Sequence, residues 1–330
     1  MAHGGGGRLM KRLLDELVIP TLNAGGNNEM HDAAVTDCPP RHRIAMTTDS
    51  FVVKPMLFPG GDIGCLSVYG TVNDLAMSGA IPAYLSLGLI IEEGLEMKTL
   101  WRILESIRRA SEECSVRIVT GDTKVVDRGK GDGLYINTAG LGFVSEQVDV
   151  RPMRIQPDDV ILVNGDLGRH GIAIMAQREG LQFDTTIESD CAALNRQVQA
   201  LLDAGIDVHC LRDLTRGGLS SALNELALTT DLSMELQEDA IPVDPQVNSA
   251  CELLGLDPLY VACEGRFAAF IPPSQIDQAL QVLKAFSNSF QPGVIGRVTG
   301  RQSAPVILRS AYGSQRVLDM LSGEQLPRIC

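Results

Sequence analysis

Apolar positions recur along the chain with two different periods, and the switches between them mark out the secondary structure. The run Ile44-Ala45-Met46-Thr47-Thr48-Asp49-Ser50-Phe51-Val52-Val53 is rich in β-formers and predicts a strand carrying Asp49 near its end. From Asp62 to Ser78 the residues Ile63, Leu66, Tyr69, Leu75 and Met77 fall at roughly helical spacing, with Asp62 placed to cap the helix and Gly79 to end it. Asp74 then sits late on that helix. The pattern goes on to predict a strand from Tyr84 to Glu92, an amphipathic helix from Glu96 to Glu113, and a strand from Val116 to Thr120. This last strand is expected to run into a Gly121-Asp122-Thr123-Lys124 loop, and Leu134 to Val144 completes the unit. A shorter helix is expected from Leu9 to Leu17.

The stretch from Arg151-Pro152 to Pro157-Asp158-Asp159 interrupts regular structure and divides the chain into units 1–150 and 151–320. In the second unit a strand is expected at Val160 to Val163, helices near Ile172 to Arg178, Ala192 to Leu202 and Leu219 to Ala227, and strands at Arg266 to Ile271 and Pro305 to Leu308. No short repeat and no strand-bound Gly-x-Gly-x-x-Gly fingerprint is present, so a mixed two-domain α+β architecture is expected. Gly323 and Pro327 break helix and strand alike, and residues 321–330 read as a flexible tail ending in the thiol of Cys330. An arm of that kind spans roughly 25 Å when extended at about 3.3 Å per residue, enough to carry a thiol into another protein's active site and back.

Composition narrows the class. With 330 residues and 45% hydrophobic content, the chain supports two ordinary cores. A formal net charge of −13 and 4% aromatic residues argue against a nucleic-acid partner, whose backbone attracts Lys and Arg and whose bases stack on rings. Apolar runs such as Tyr84 to Ile91 are only strand-length and the N-terminus lacks a signal-peptide core, so a cytoplasmic protein without membrane association is expected. The eight cysteines never form Cys-x-x-Cys, and neither His-Glu-x-x-His nor Gly-x-x-x-x-Gly-Lys-Ser/Thr occurs.

The candidate chemistry lies in isolated acidic segments. Asp49 in Thr-Thr-Asp-Ser, Asp74 in Val-Asn-Asp-Leu and Asp122 in Thr-Gly-Asp-Thr-Lys are hard oxygen donors at the ends of predicted elements, a type suited to Mg²⁺ shared with substrate phosphates. Asp32 and Asp213 are further members of the same kind. An Asp at a cap or turn commonly serves as a local backbone acceptor instead, and spacing alone leaves both readings open. The run His3-Gly4-Gly5-Gly6-Gly7-Arg8 precedes a helix, so Gly5 and Gly6 belong either to a phosphate cradle or to a flexible leader. Thr215-Arg216-Gly217-Gly218 enters a second helix in the same manner. Two glycine-basic helix entries with several acidic segments favour a nucleoside triphosphate and metal over an apolar ligand. Lys124 is a candidate for stabilising negative charge and Glu264 for accepting a proton.

These pieces together are familiar. His3 with its glycines, Thr47-Thr48-Asp49-Ser50, Phe58-Pro59-Gly60-Gly61-Asp62-Ile63-Gly64, Asn73-Asp74-Leu75-Ala76-Met77-Ser78-Gly79-Ala80, Thr120-Gly121-Asp122-Thr123-Lys124-Val125-Val126, Asp213-Leu214-Thr215-Arg216-Gly217-Gly218 and Pro327-Arg328-Ile329-Cys330 resemble the HypE family of carbamoyl dehydratases. That family helps to make the cyanide ligands of nickel-iron hydrogenases. The aspartate segments alone are similar to those of the wider superfamily of aminoimidazole ribonucleotide (AIR) synthetase, selenophosphate synthetase and thiamine-monophosphate kinase. The resemblance implies an α+β, two-domain AIR synthetase-like (PurM-like) fold. In it the N-terminal domain binds ATP and pairs in a homodimer, and a C-terminal α/β domain follows. It implies that the carbamoyltransferase HypF loads Cys330 and that the S-carboxamide is dehydrated to a thiocyanate at the expense of ATP. The cyano group would then pass to iron on a HypC–HypD complex. Asp32, Asp49, Asp74, Asp122 and Asp213 would hold Mg²⁺ and the phosphates, while Lys124 and Glu264 would flank the carboxamide. Two other readings stand beside it, a small-molecule synthetase or kinase of the superfamily and a non-catalytic thiol carrier.

Overall fold

In the computed structural model, which describes residues 8–22, 33–34, 36–180, 186–286 and 291–320, two short helices open the chain. These are α1 (Arg8–Leu13) and α2 (Ile19–Leu22), joined through a wider helical turn at Leu14–Val18. There follow β1 (His42–Phe51), β2 (Leu57–Phe58), β3 (Gly61–Asp62), α3 (Ile63–Met77), β4 (Ile81–Glu92), α4 (Met97–Cys114), β5 (Arg117–Val126) and β6 (Leu134–Ser145). Four of these strands form a sheet in the order β1-β6-β4-β5, antiparallel except for the β4/β5 pair. One face is covered by α3 and α4. Leu100, Ile103, Leu104 and Ile107 give α4 its buried stripe at the expected three- and four-residue spacing. The Asp62 carboxylate caps α3 by accepting from the Gly64 and Cys65 amides at 2.8 and 3.1 Å, and Gly79 leaves the helix at φ +74°.

One sequence expectation changes here. Gly121 to Lys124 are not a loop, because β5 continues through them to Val126, paired residue for residue with Leu87 to Glu92 of β4. A Cβ at position 121 would collide with the Leu87 carbonyl oxygen, so glycine is what lets the strand stay in the sheet.

The second half contributes β7 (Val160–Val163), α5 (Arg169–Glu179), α6 (Asn195–Asp203), β8 (Cys210–Asp213), α7 (Gly218–Thr230), β9 (Ser233–Gln237), α8 (Pro245–Leu254), β10 (Phe267–Ile271), α9 (Ile276–Lys284), β11 (Gly293–Thr299), β12 (Val306–Arg309) and β13 (Gln315–Val317). A seven-stranded sheet runs β13-β12-β9-β11-β7-β10-β8. Its central strands β7 and β10 are buried at every position, as unbroken apolar runs covered on both faces require. Ile161, Val163, Ala268 and Phe270 pack on one side with Leu219, Leu223 and Leu226 of α7. On the other side Leu162, Phe267 and Ala269 pack with Val198 and Leu201 of α6 and Leu283 of α9, and here Ala76 and Met77 from the end of α3 join the same cluster. The sequence pattern leaves β8, β9, β11, α8 and α9 unassigned. β8 is four residues long with half of them charged, and such a strand has no periodicity to detect. No helix among the described residues is long and apolar enough to cross a membrane.

Candidate active site

Where the two sheets approach each other, the ends of β1 and β8, the middle of α3 and the start of α7 enclose a cleft of about 300 Å³. Asp49, Asp74, Asp213, Arg216 and Glu264 are among the residues lining it. Strand alternation places Asp49 here. It pairs with Thr138, which is buried, so Asp49 shares the helix-facing side of the sheet. Asp74 reaches the same place from α3, accepting from the Thr47 hydroxyl at 2.9 Å. Asp213 ends β8 and accepts from the Thr215 hydroxyl at 3.2 Å. The turn that follows depends on its two glycines, at φ +72° and +58°. A Cβ at Gly218 would lie 2.7 Å from the Val261 carbonyl oxygen, and one at Gly217 would strike Ser221. The glycine pair therefore has a steric role: it lets α7 start hard against the 258–261 segment. The Gly218 amide is spent on the Thr215 carbonyl at 3.2 Å.

Electrostatics in the cleft are those of carboxylates without enough cations. The Asp74 carboxyl is pushed up to about 7, by burial first and then by the charges of Asp213 and Asp49. Burial also raises Asp213, against the pull of neighbouring Arg212. A divalent cation with phosphate would relieve this repulsion, and the donor chemistry of the three aspartates fits one. Among the described residues, however, no three His, Cys, Asp or Glu side chains are grouped closely enough to hold a metal on their own.

Glu264 is held from behind. It is 4% exposed, its amide donates to Asp190 Oδ1 at 2.9 Å, and its carbonyl accepts from Asn73 Nδ2 at 3.2 Å. The same Asn73 side chain bonds the Ala192 carbonyl at 3.0 Å and the Leu194 amide at 2.8 Å, so one residue of α3 stitches the 190–194 segment to the approach to β10. Behind these lies an ion-pair network. Arg266 donates to the fully buried Asp166 at 2.6 Å, Arg169 bonds Asp166 as well, and Arg169 reaches Asp244 at 2.7 Å. The Asp190 carboxyl is raised by burial, which Arg266 partly offsets.

Not every expected residue comes to this cleft. Asp122 pairs with Gly88 and Lys124 with Ile90, so both lie on the outer face of the four-stranded sheet, away from α3, while Thr123 between them is buried. The odd-and-even register of a strand, invisible once these residues are taken for a loop, is what separates Asp122 from Asp49. Rows across the register put Ser50, Asn137, Gly88 and Asp122 side by side, and Tyr135, Ile90 and Lys124 in the next row. Asp32, Gly5, Gly6 and Cys330 lie outside the described residues. Asn73 and Asp190 support the site without having been singled out from the sequence, in which the isolated acidic segments draw attention to other positions.

The N-terminal domain model of the AIR synthase related proteins matches residues 30–144, and the C-terminal domain model matches residues 156–309. Carbamoyl dehydratase HypE of Azotobacter vinelandii is 46% identical over 330 residues, covering 100% of this chain and 96% of that protein. The crystal structure of the hydrogenase maturation protein HypE in complex with ATP superposes with a TM-score of 0.93 at 43% identity, covering 100% of this chain and 99% of the other. HypE from a HypE–HypF complex superposes with a TM-score of 0.81 at 38% identity, over 96% and 100% of the two chains.

Proposed function

Because this chain belongs to the HypE family of carbamoyl dehydratases, we propose that the acidic cleft is where it turns over ATP to dehydrate a carboxamide carried on Cys330. The chain is an enzyme of hydrogenase maturation with the two-domain AIR synthetase-like fold. The observation that carries the placement is the convergence of Asp49 and Asp74 from one domain with Asp213 and Glu264 from the other. Three carboxylates under mutual repulsion suit a metal–triphosphate, and a buried glutamate beside them suits proton removal.

Dehydration needs the nucleotide for a simple reason. An oxygen leaving as hydroxide has a conjugate-acid pKa of about 15.7. Phosphate leaves with a second pKa of about 6. The carboxamide oxygen takes the γ-phosphoryl group of ATP and ADP departs. One of the two nitrogen-bound protons leaves as the oxygen is phosphorylated and the C=N bond forms; loss of phosphate together with the second then leaves the nitrile of a thiocyanate. Glu264 accepts that proton, with its backbone fixed by Asp190 and Asn73 so that the carboxylate stays in the cleft. Mg²⁺, held by Asp49, Asp74 and Asp213 together with the phosphates, would supply charge neutralisation. Thr215 and Arg216, which line the cleft ahead of α7, would face the transferring phosphates.

The outer face of the four-stranded sheet supports the homodimer. Ile44, Phe143 and Ile81 form one row across it and Met46, Leu141 and Tyr84 the next; Ile44 is 58% exposed and Met46 76%. An apolar patch of this kind on a sheet face favours pairing with a second copy. Asp122 and Lys124 continue the same face at its polar end, so they would act at the rim of that pairing. The cyanide destination, transfer to iron on a HypC–HypD complex, loading by HypF, Asp32 with Gly5 and Gly6 as phosphate ligands, and a cytoplasmic setting complete the proposal. It is tested by intact-protein mass spectrometry after incubation with HypF, carbamoyl phosphate and ATP. A carbamoyl-sized gain that is absent from Cys330→Ala, and that loses water only with ATP, is the expected result. A gain that never loses water would leave a carrier, and no gain would return the chain to the small-molecule enzymes of the superfamily.

A further inference from the structure

Near its end the chain is tied to α7, a helix that also lines the cleft. Leu318 is fully buried and its carbonyl accepts from Asn224 Nδ2 at 2.8 Å. The Asp319 carbonyl accepts from the Ser220 hydroxyl at 2.8 Å and from the Tyr260 hydroxyl at 2.9 Å. Ser220 and Asn224 are one turn apart on α7, and two other residues of the helix, Ala222 and Glu225, line the cleft. At about 3.6 residues per turn these two pairs face nearly opposite ways, which puts anchor and cleft on either side of one helix roughly 10–12 Å across. The ten residues after Met320 reach up to about 33 Å at about 3.3 Å each, so Cys330 can pass round α7 to the cleft.

The cleft is graded in depth. Glu264 is 4% exposed, whereas the Glu225 side chain is 48% exposed and that of Arg212, its ion-pair partner, 44%. All three line the cleft, so this pair stands at the mouth and Glu264 at the buried end. An ion pair so open to water gives up or shares a partner at little cost. Arg212 Nη2 bonds Oε2 of Glu225, and the second oxygen of a carboxylate can take another guanidinium. The arm carries one: Arg328 precedes Cys330 by two residues. With the carboxamide at Glu264, an extended arm puts residue 328 roughly 7 Å back towards the mouth.

Resting on the function proposed above, we propose that Glu225 is the receptor for Arg328, seating the arm in the cleft with Cys330 in register with Glu264. The other acids lining the cleft point the same way. In that function Asp49, Asp74 and Asp213 hold the metal and phosphates and Glu264 takes the proton, which leaves Glu225 to meet the charge of the arm. Arg212 holds the Glu225 carboxylate at the mouth, and with the arm docked this carboxylate bridges two guanidinium groups. The site then selects an arm with a cation two residues ahead of its cysteine.

The test is a double-mutant cycle on the full-length protein already carbamoylated on Cys330: wild type, Glu225→Gln, Arg328→Gln and both together. Loss of water in a single turnover with ATP and Mg²⁺ is followed by intact mass. Each single variant is expected to slow it about fivefold, with ATP affinity and unfolding midpoint unchanged, and the double variant no more than either. Arg328→Gln at the wild-type rate, or two losses that multiply to about twenty-five-fold, would overturn the receptor. A second readout does not need the reaction. Trypsin cuts after Arg328, and with a non-hydrolysable ATP analogue and Mg²⁺ present it should release Ile329-Cys330 about fivefold faster from Glu225→Gln than from wild type. Equal release would overturn the receptor too. Failure of the underlying function shows separately, as wild type that loses no water with ATP, and the trypsin comparison then decides the receptor by itself.

Discussion

The two sheets of this chain put their chemistry in different places. In the seven-stranded sheet the central strands are apolar on both faces, and the acids that line the cleft lie where strands begin or end: Asp213 at the end of β8, Glu264 just ahead of β10. The four-stranded sheet has one covered face and one open face, and its strands carry charge along their length, Asp49 inward and Asp122 and Lys124 outward. A sheet covered twice can act only as a scaffold. One covered once can offer each face to a different task, and the function proposed above uses one for nucleotide and the other for a second copy of the chain.

The contrast breaks most visibly in β10. Phe270→Ala removes a fully buried ring and is expected to cost about 3–5 kcal/mol, read as a lower denaturant midpoint; a loss below about 1 kcal/mol would mean that the doubly covered sheet is not the scaffold. Glu264→Gln keeps the side-chain volume and both backbone bonds, so turnover should fall by about 10²- to 10³-fold with ATP affinity and unfolding midpoint unchanged. Equal loss of affinity and turnover would instead make Glu264 a binding residue.

Where α3 covers the four-stranded sheet the expected signature is a pH slope. The Asp74 carboxyl lies at about 7 in the folded protein against 3.8 ordinarily, so between those values the folded state holds a proton that the unfolded chain has released. Stability contributed by this group is full at low pH and is lost as pH rises through about 7, at no more than about 1.36 kcal/mol per unit. Urea midpoints across that range should show the slope flattened in Asp74→Asn; an unaltered slope would remove Asp74 from the strained cluster. The smallest effect on the protomer is expected at Met46→Asp on the open face. Unfolding should change by within about 0.5 kcal/mol while light scattering shows more monomer.

Much of this was legible in the residues. Asp62 and Gly79 bound α3, and Val160 to Val163 is a strand, as their patterns predict, because capping and unbroken apolar runs are local signals. Asp49, Asp74 and Glu264 stand out as isolated acids in polar surroundings. What the sequence could not supply was sidedness. Asp122 resembles Asp49 in composition and motif, and only the strand register, itself hidden by Gly121, turns it to the opposite face. Asp190 and Asn73 were silent for another reason: they act through backbone groups of distant residues, and such bonds leave no trace in spacing.

Helix α3 belongs to both halves, since Ala76 and Met77 complete the core of the second domain and Asn73 ties its chain together. A chimaera that exchanges the two halves between relatives at the boundary near residue 150 would therefore bring a foreign helix face to the recipient's core. The interchangeable module is the second half plus the last turn of a helix that lies far upstream in the chain, and these two stretches must be inherited together.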